Sequence, residues 1–405
     1  MRKTILLMAH DVTLAHLGRP LRIATYLLAA GHDVILAASP DAKRFLGNFS
    51  GRFHALRPID KARFINNLAQ GRPVFDFSTL LAFAEEDEEI LQAYRPDLVI
   101  GDFRLSLSAS ARRQRVPYAT ITNAYWSPAQ SPRFTVPNLP MVDYLGVRIS
   151  QALFDLARPV AFAYHALPMN ALRRHYGLPS LGLDLRSAYT DADLVLFCDV
   201  AELYGASPGA TSNGIFIGPI QWSPDIPLPT WWDALDPERP IIYITLGSSG
   251  DGKLLPRLVD RLRTTGMQLI VASAGAPGIE TGGQVFSADY IPGDAAAARA
   301  RLVVCNGGSP TSMQAIASGV PVLGVPGNLD QFLNMHYLES WQAGLTLRKT
   351  QLLSPQAETA ISALLTNPVF GAAAQRLAAV CTHYDTAALL GQALERLMQD
   401  GGVRP

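Results

Sequence analysis

Short apolar runs alternate with helical stretches along most of this chain; the alternation breaks once, at a proline-rich segment, and then restarts. In the first half Thr4–Ala9 and Val34–Ala38 read as strands around a helix over Pro20–Ala30, which Gly31 ends in the manner of a left-handed cap. Leu98–Gly101, Tyr118–Thr122, Leu194–Phe197 and Gly214–Ile217 continue the strands, with helices over Glu85–Ala93, Ala109–Arg115 and Val147–Tyr176. Residues 126–146 read as a long loop rich in Pro, Ser and Asn, the kind of segment that is usually functional or mobile. Six prolines between Pro219 and Pro240 make a stiff connector. Beyond it Ile241–Leu246, Gln268–Ala272, Leu302–Cys305 and Val320–Val325 are strands, with helices over Lys253–Thr264 and Pro310–Ala317. Repeated βα units predict parallel sheets covered on both faces, so the expected class is α/β with two Rossmann-like domains.

A chain of 405 residues is too long for a typical single core, which agrees with two domains. The expected boundaries are 1–218, a linker 219–240, a second domain 241–385 and a C-terminal helix in 386–405. Lys plus Arg and Asp plus Glu both total 34, so the basic excess of a nucleic-acid binder is missing. Cys198, Cys305 and Cys381 are far apart and form no CxxC or Cys/His pattern, which predicts neither a disulfide framework nor a metal site. The apolar run after Met1 is too short for a signal peptide, and no stretch of about 18 uncharged apolar residues occurs. A cytoplasmic protein without a spanning helix is expected.

Four constellations carry chemistry. The loop HDVTLAHLGRP follows the first strand, at the sheet edge where open α/β folds bind ligands, and holds His10 and His16. An imidazole there suits a general base; a solvated or capping loop histidine is the plainer alternative. Asp102 follows the strand LVIG and can orient such a histidine, or simply cap a turn. The run ITLGSSGDG, with Gly247, Ser248 and Ser249, lets a backbone approach a ligand closely, or makes an ordinary tight turn. The block LVVCNGGSPTSMQAIASGVPVLGVPGNLDQFLN is the most specific. Its strand runs into Asn306-Gly307-Gly308 and a helix starts near Pro310, a pattern that suits a diphosphate site of helix-start N–H groups with Ser309 or Thr311 hydroxyls, or else a plain βα unit with a Gly-rich turn. Gln314 is placed to reach a ribose, and Asp330 and Gln331 to bond sugar hydroxyls.

At this block the sequence resembles the nucleotide-sugar-dependent glycosyltransferases of GT-B fold and family-1 type, which include macrolide and other natural-product enzymes. That family carries HGGxGTxxEAL followed by GxPxxxxPxxxDQxxNA; here the residues are NGGSPTSMQAI and GVPVLGVPGNLDQFLNM. The likeness extends over nearly the whole chain. AHLGRPLRIATYLLAAGHDV is similar to GHxxPxxxLAxxLxxxGHxV, which puts His16 at the catalytic-base position, and PDLVIGD puts Asp102 at its partner's. IFIGPI stands where the family has VGP, and DYIPG resembles its WxPQ segment, which implies Tyr290 beside the nucleobase. Three residues depart from the pattern: Asn306 replaces a histidine on the diphosphate, Gln314 a glutamate on the ribose, and Pro310 stands where the family often has glycine.

The resemblance implies two facing domains, a C-terminal helix in 386–405 that crosses back to the first, and an inverting transfer from a UDP- or dTDP-linked sugar, with no metal or other cofactor. Aromatic residues of the first half (Phe75, Phe77, Phe83, Tyr125, Trp126, Phe134, Tyr144, Phe154, Phe162, Tyr164) suggest a small apolar acceptor, unless they are core. A peripheral membrane contact through Arg112, Arg113 and Arg115 is a further expectation, with a solvated helix face as the alternative. The alternative functions are a nucleotide-sugar epimerase or hydrolase of the same fold, and a non-catalytic pseudo-transferase.

Overall fold

The computed structural model describes residues 2–10, 12–206, 213–247 and 249–399. In chain order the elements are β1 (Thr4–Ala9), α1 (Ala15–Ala29), β2 (Asp33–Ala38), β3 (Arg52–Ala55), α2 (Lys61–Ala69), α3 (Phe77–Tyr94), β4 (Leu98–Asp102), α4 (Leu107–Gln114), β5 (Tyr118–Thr122), α5 (Pro140–His175), α6 (Leu185–Tyr189), β6 (Leu194–Phe197) and β7 (Gly214–Phe216). They continue as β8 (Ile241–Thr245), α7 (Leu255–Arg263), β9 (Gln268–Ala272), β10 (Val285–Ala288), α8 (Gly293–Arg299), β11 (Leu302–Cys305), α9 (Ser309–Ala317), β12 (Val322–Gly324), α10 (Leu329–Ser340), β13 (Gly344–Thr346), α11 (Pro355–Thr366), α12 (Pro368–Thr382) and α13 (Thr386–Gln399).

Two compact units result. The first comprises residues 1–131, 139–220 and 384–405; the second, 132–138 and 221–383. Residues 132–138, inside the segment expected to be one long loop, therefore pack with the second unit. There Asn138 N and Nδ2 donate to the carbonyls of Gly327 and Pro326, and Arg348 donates to Asn138 Oδ1 and to the Val136 carbonyl.

The first unit holds a seven-stranded sheet in the order β3-β2-β1-β4-β5-β6-β7, every neighbouring pair parallel. The second holds a six-stranded sheet, β10-β9-β8-β11-β12-β13, also parallel throughout. Parallel strands with helical crossovers are apolar on both faces: β1, β4 and β8 are buried along almost their whole length. In each sheet the order reverses once, between β1 and β4 and between β8 and β11. Such switch points open a crevice at the carboxyl ends of the strands, where ligands of this architecture bind.

Two helix boundaries differ from expectation. α1 begins at Ala15, five residues before the proline taken as its start, so His16 lies on a helix and not in a loop. A proline in the second turn removes one bond, to the carbonyl four residues back, and α1 carries that loss. α5 begins at Pro140 and shortens the expected loop; its one break is Gly146, extended at φ 72°, ψ 166°. α13 packs on α1 through Leu390, Leu394 and Leu397, three buried residues on one helical face. At the α12–α13 turn Tyr384 Oη donates to Glu202 and accepts from the Ala201 N–H. A Cβ at Gly218 would stand 2.5 Å from Tyr384, which explains a glycine in IFIGPI.

Candidate active site

At the switch point of the first sheet, Ala9 at the end of β1 pairs with Asp102 at the end of β4. α1 starts just beyond, and its residues 16 and 19, three apart, share a face. His16 Nδ1 lies 2.7 Å from Asp102 Oδ1. Arg19 grips the same carboxylate with Nε on Oδ2 and Nη2 on Oδ1, both at 2.8 Å. Its Nη1 donates to Asn123 Oδ1 at 2.9 Å. Asn123 Nδ2 in turn donates to Asp199, whose other oxygen takes the Ala124 N–H. The relay therefore runs from α1 through the carboxyl ends of β4, β5 and β6.

Asp102 is fully buried. Burial works against its charge, but Arg19 and His16 outweigh that cost and hold the carboxyl below its ordinary range. An ionised carboxylate only accepts, so Nδ1 of His16 carries the proton and Nε2 keeps its lone pair. Arg19 Nη2 also lies 3.1 Å from His16 Nδ1, but a protonated nitrogen cannot accept from it; the bond to Asp102 is the real one. The His16 side chain is partly exposed. This is the arrangement of a base and its orienter. Among the described residues no cation bonds Asp199 directly, and burial, only partly offset by its hydrogen bonds and the Arg19 charge, pushes its carboxyl up to about 6.

His10 takes a different part. It is buried, its Nδ1 donates to the Phe103 carbonyl at 3.0 Å, and its ring stacks on Phe75. Burial, helped by the nearby Arg104 charge, pulls its imidazole well below the ordinary value, so it is neutral. Phe103, in the left-handed region at φ 57°, stacks on His16 at 4.9 Å. From there the half-buried Phe103, Tyr189 and Trp126 rings meet in sequence, so an aromatic wall adjoins the base. Of the other aromatics read from the sequence, Phe75, Phe83, Tyr125, Phe134, Phe154 and Phe162 are buried, while Phe77, Tyr144 and Tyr164 are exposed.

In the second sheet the loops after β8 and β11 flank the switch point. Gly247 (φ 60°) and Gly307 (φ 78°) adopt the left-handed backbone. Ser248 lies outside the described residues; its neighbour Ser249 accepts from Asn306 Nδ2 at 3.0 Å. Asn306 Oδ1 accepts from the Gly308 N–H at 3.0 Å, so its amide pins both loops. Gly308 is the N-cap of α9 and brings no capping side chain, with Ser309, Pro310 and Thr311 in the first turn. The dipole and N–H groups of such a helix start favour an anion.

Gln314 is buried one turn on, and its Nε2 donates to the Trp222 carbonyl and Ser223 Oγ at 2.7 and 3.1 Å. A Cβ at Gly293 would stand only 2.6 Å from Gln314 Oε1. Gln331 Oε1 accepts from the Gly327 N–H at 2.8 Å within the capping box of α10, and its Nε2 points at Ser249 from 3.5 Å, too far for a bond. Asp330, half-buried, lies in the first turn of α10. Tyr290 stands exposed between β10 and α8.

Arg19, Asn123 and Asp199 were not singled out from the sequence. The i, i+3 spacing of His16 and Arg19 was the one signal for the first. For the others, a polar residue within two positions of the end of an apolar strand was the signal, much as for Asp102.

Residues 267–397 match the family described as Erythromycin biosynthesis protein CIII-like, C-terminal domain. A PGL/p-HBAD biosynthesis glycosyltransferase of Mycobacterium tuberculosis is 43% identical over 378 residues, 93% of this chain and 88% of the relative. A PGL/p-HBAD biosynthesis rhamnosyltransferase of Mycobacterium bovis is also 43% identical, over 93% of this chain and 84% of its own length. Among solved structures, the spinosyn rhamnosyltransferase SpnG complexed with thymidine diphosphate is similar at a TM-score of 0.67 with 19% identity, covering 97% of this chain and 99% of that one.

Proposed function

This chain belongs to the family-1-type glycosyltransferases of GT-B fold, and from that premise we propose that it moves a sugar from a nucleotide diphosphate to a hydroxyl of a small apolar acceptor, with inversion. The observation that carries the reading is the His16–Asp102–Arg19 arrangement beside the aromatic wall. His16 Nε2 takes the acceptor's hydroxyl proton, the oxygen bonds the anomeric carbon, and the bond to the diphosphate oxygen breaks with its electron pair on the diphosphate. Asp102 stabilises the imidazolium that forms. The Gly307–Gly308 turn and the start of α9, with Ser309 and Thr311, meet the departing negative charge, as Ser248 does on the family pattern.

Asn306 cannot supply the positive charge of the histidine it replaces, but its amide holds the two loops in register. Gln314 contributes to the ribose side through Oε1 alone, because its nitrogen is committed to residues 222–223. Tyr290 is the ring for the base, and Asp330 and Gln331 lie nearest the sugar in this reading. Thymidine diphosphate is the favoured nucleotide, because a neighbour of the same fold was solved with it and a close relative is named a rhamnosyltransferase; uridine diphosphate is the other arm of the test.

The test is a transfer assay with dTDP- and UDP-linked hexoses and a panel of hydroxylated aromatic acceptors, read by mass spectrometry. A glycosylated acceptor is expected. Sugar released or epimerised at equal rate without acceptor would overturn the acceptor half; calorimetry showing no nucleotide diphosphate bound would overturn the donor half.

A further inference from the structure

On α5, Ile149, Leu153, Leu156, Val160, Tyr164 and Leu167 follow one another at intervals of four, three, four, four and three, which places them on a single face. All six are exposed, Leu156 at 80% and Val160 at 73%. Alanines 152, 157, 163 and 171 fill the same arc, so no charge interrupts it over that span. The opposite face, with Phe154, Phe162, Ala166 and Met169, is buried in the first unit. A soluble helix normally presents charge where this one presents leucine. α2 extends the apolar surface with exposed Ile65 and Leu68, and is tied to α5 where His165 Nε2 donates to the Gly71 carbonyl at 3.1 Å.

Cations surround this surface. Over its whole length α5 carries four arginines, of which Arg173 is buried against Asp191, and two carboxylates, Asp143 and Asp155, in a chain whose total charge is zero. Arg148 and Arg174 are exposed, and Arg72 follows α2. Of the Arg112, Arg113 and Arg115 cluster, Arg112 pairs with Asp191 and Arg113 lies 3.4 Å from Glu88, while Arg115 is exposed.

We propose that the outward face of α5, with α2, is a docking surface for an anionic lipid bilayer, on which the helix lies flat. Apolar side chains at the level of the acyl boundary, with arginines reaching the headgroups, are the chemistry of interfacial helices. No described helix is long and apolar enough to cross a membrane, so this one rests on the surface. A second copy of the chain fits less well. From Ile149 to Leu167 the strip is about 27 Å long and roughly 10 Å wide, or about 270 Å², a third of the ~800 Å² per partner of a standard interface.

The inference is independent of the transfer chemistry, and so is its test. Full-length protein is floated with vesicles of equimolar phosphatidylglycerol and phosphatidylcholine, and with phosphatidylcholine alone. Flotation is expected with the anionic vesicles, weaker with the neutral ones and reduced by salt. Leu156→Glu with Val160→Glu should cut binding at least about tenfold without moving the melting temperature, since both side chains are in solvent. Arg148→Glu with Arg174→Glu should abolish the preference for anionic lipid. The proposal is overturned if the wild type never floats, or if the Leu156/Val160 variant floats equally well. It is likewise overturned if ultracentrifugation finds a dimer that this variant splits, for then a second copy is the occupant.

Discussion

His16 Nδ1 stands 2.7 Å from Asp102 Oδ1, joining the first turn of a helix to the last residue of a strand 86 positions further on. The contact fixes the ring's tautomer and leaves Nε2 as the basic nitrogen. His16→Ala should therefore lower transfer by roughly 10²–10⁴-fold while nucleotide affinity is kept. Turnover and calorimetry on the same preparation check this; unchanged turnover removes His16 from the chemistry.

Arg19 is the counter-ion of a carboxylate with no access to water. Arg19→Met should strand that charge and cost about 3–5 kcal/mol of stability, the usual result of breaking a buried pair from one side. Arg19→Lys should recover only part, because an ammonium cannot grip both carboxylate oxygens in the plane. Denaturation midpoints of the three proteins give the comparison, and a lysine variant as stable as wild type would contradict the bidentate account.

The two buried carboxylates should leave opposite marks on stability against pH. Asp102 is held below its unfolded value of about 3.9, so its contribution is present above that pH and is lost as pH falls through the depressed value. Asp199 is raised to about 6, so its contribution is full below about 3.9 and is lost as pH rises through about 6. Melting curves of Asp102→Asn and Asp199→Asn beside wild type should show the first gap closing on acidification and the second narrowing on the way to neutrality.

Gly307 combines a left-handed backbone with a close approach: an added Cβ would lie 2.7 Å from Met335 Cγ. Gly307→Ala should destabilise the second unit by about 1–3 kcal/mol and weaken nucleotide diphosphate binding. Gly278→Ala, with positive φ but open space around it, should cost less and leave binding alone. Equal effects at both glycines would mean that backbone strain alone decides.

Restoring the family's glutamate at position 314 should not restore a better site. A carboxylate there would face the Trp222 carbonyl in place of the present Nε2 donor, with an unmade bond worth about 1–3 kcal/mol. Gln314→Glu is expected to melt earlier and bind nucleotide no more tightly, as calorimetry would show.

The sequence made the sheets legible because a parallel strand buried on both faces is an unbroken apolar run. It did not reveal β3, β10 or β13, which are edge strands; Arg52–Ala55 is partly exposed and carries no such run. The start of α1 was hidden by Pro20, whose place in a helix depends on which bond is lost. His16 and Asp102 were readable as polar residues at a sheet edge. Arg19 was not, because an arginine on an amphipathic helix usually faces solvent, and only the fold shows this one turned inward to a carboxylate. The committed nitrogen of Gln314 was equally unreadable, since its partner is a backbone carbonyl that any sequence would offer.

Neither unit is one continuous stretch of chain. Residues 132–138 are synthesised well before the unit they clasp, and α13, which covers α1, is made after that whole unit. Until then the apolar side of α1 that Leu390, Leu394 and Leu397 will cover stays open, and Gly218 waits for Tyr384. A nascent first unit thus matures in two stages, its sheet early and its closure late. Chaperone dependence should track the interval of translation between them.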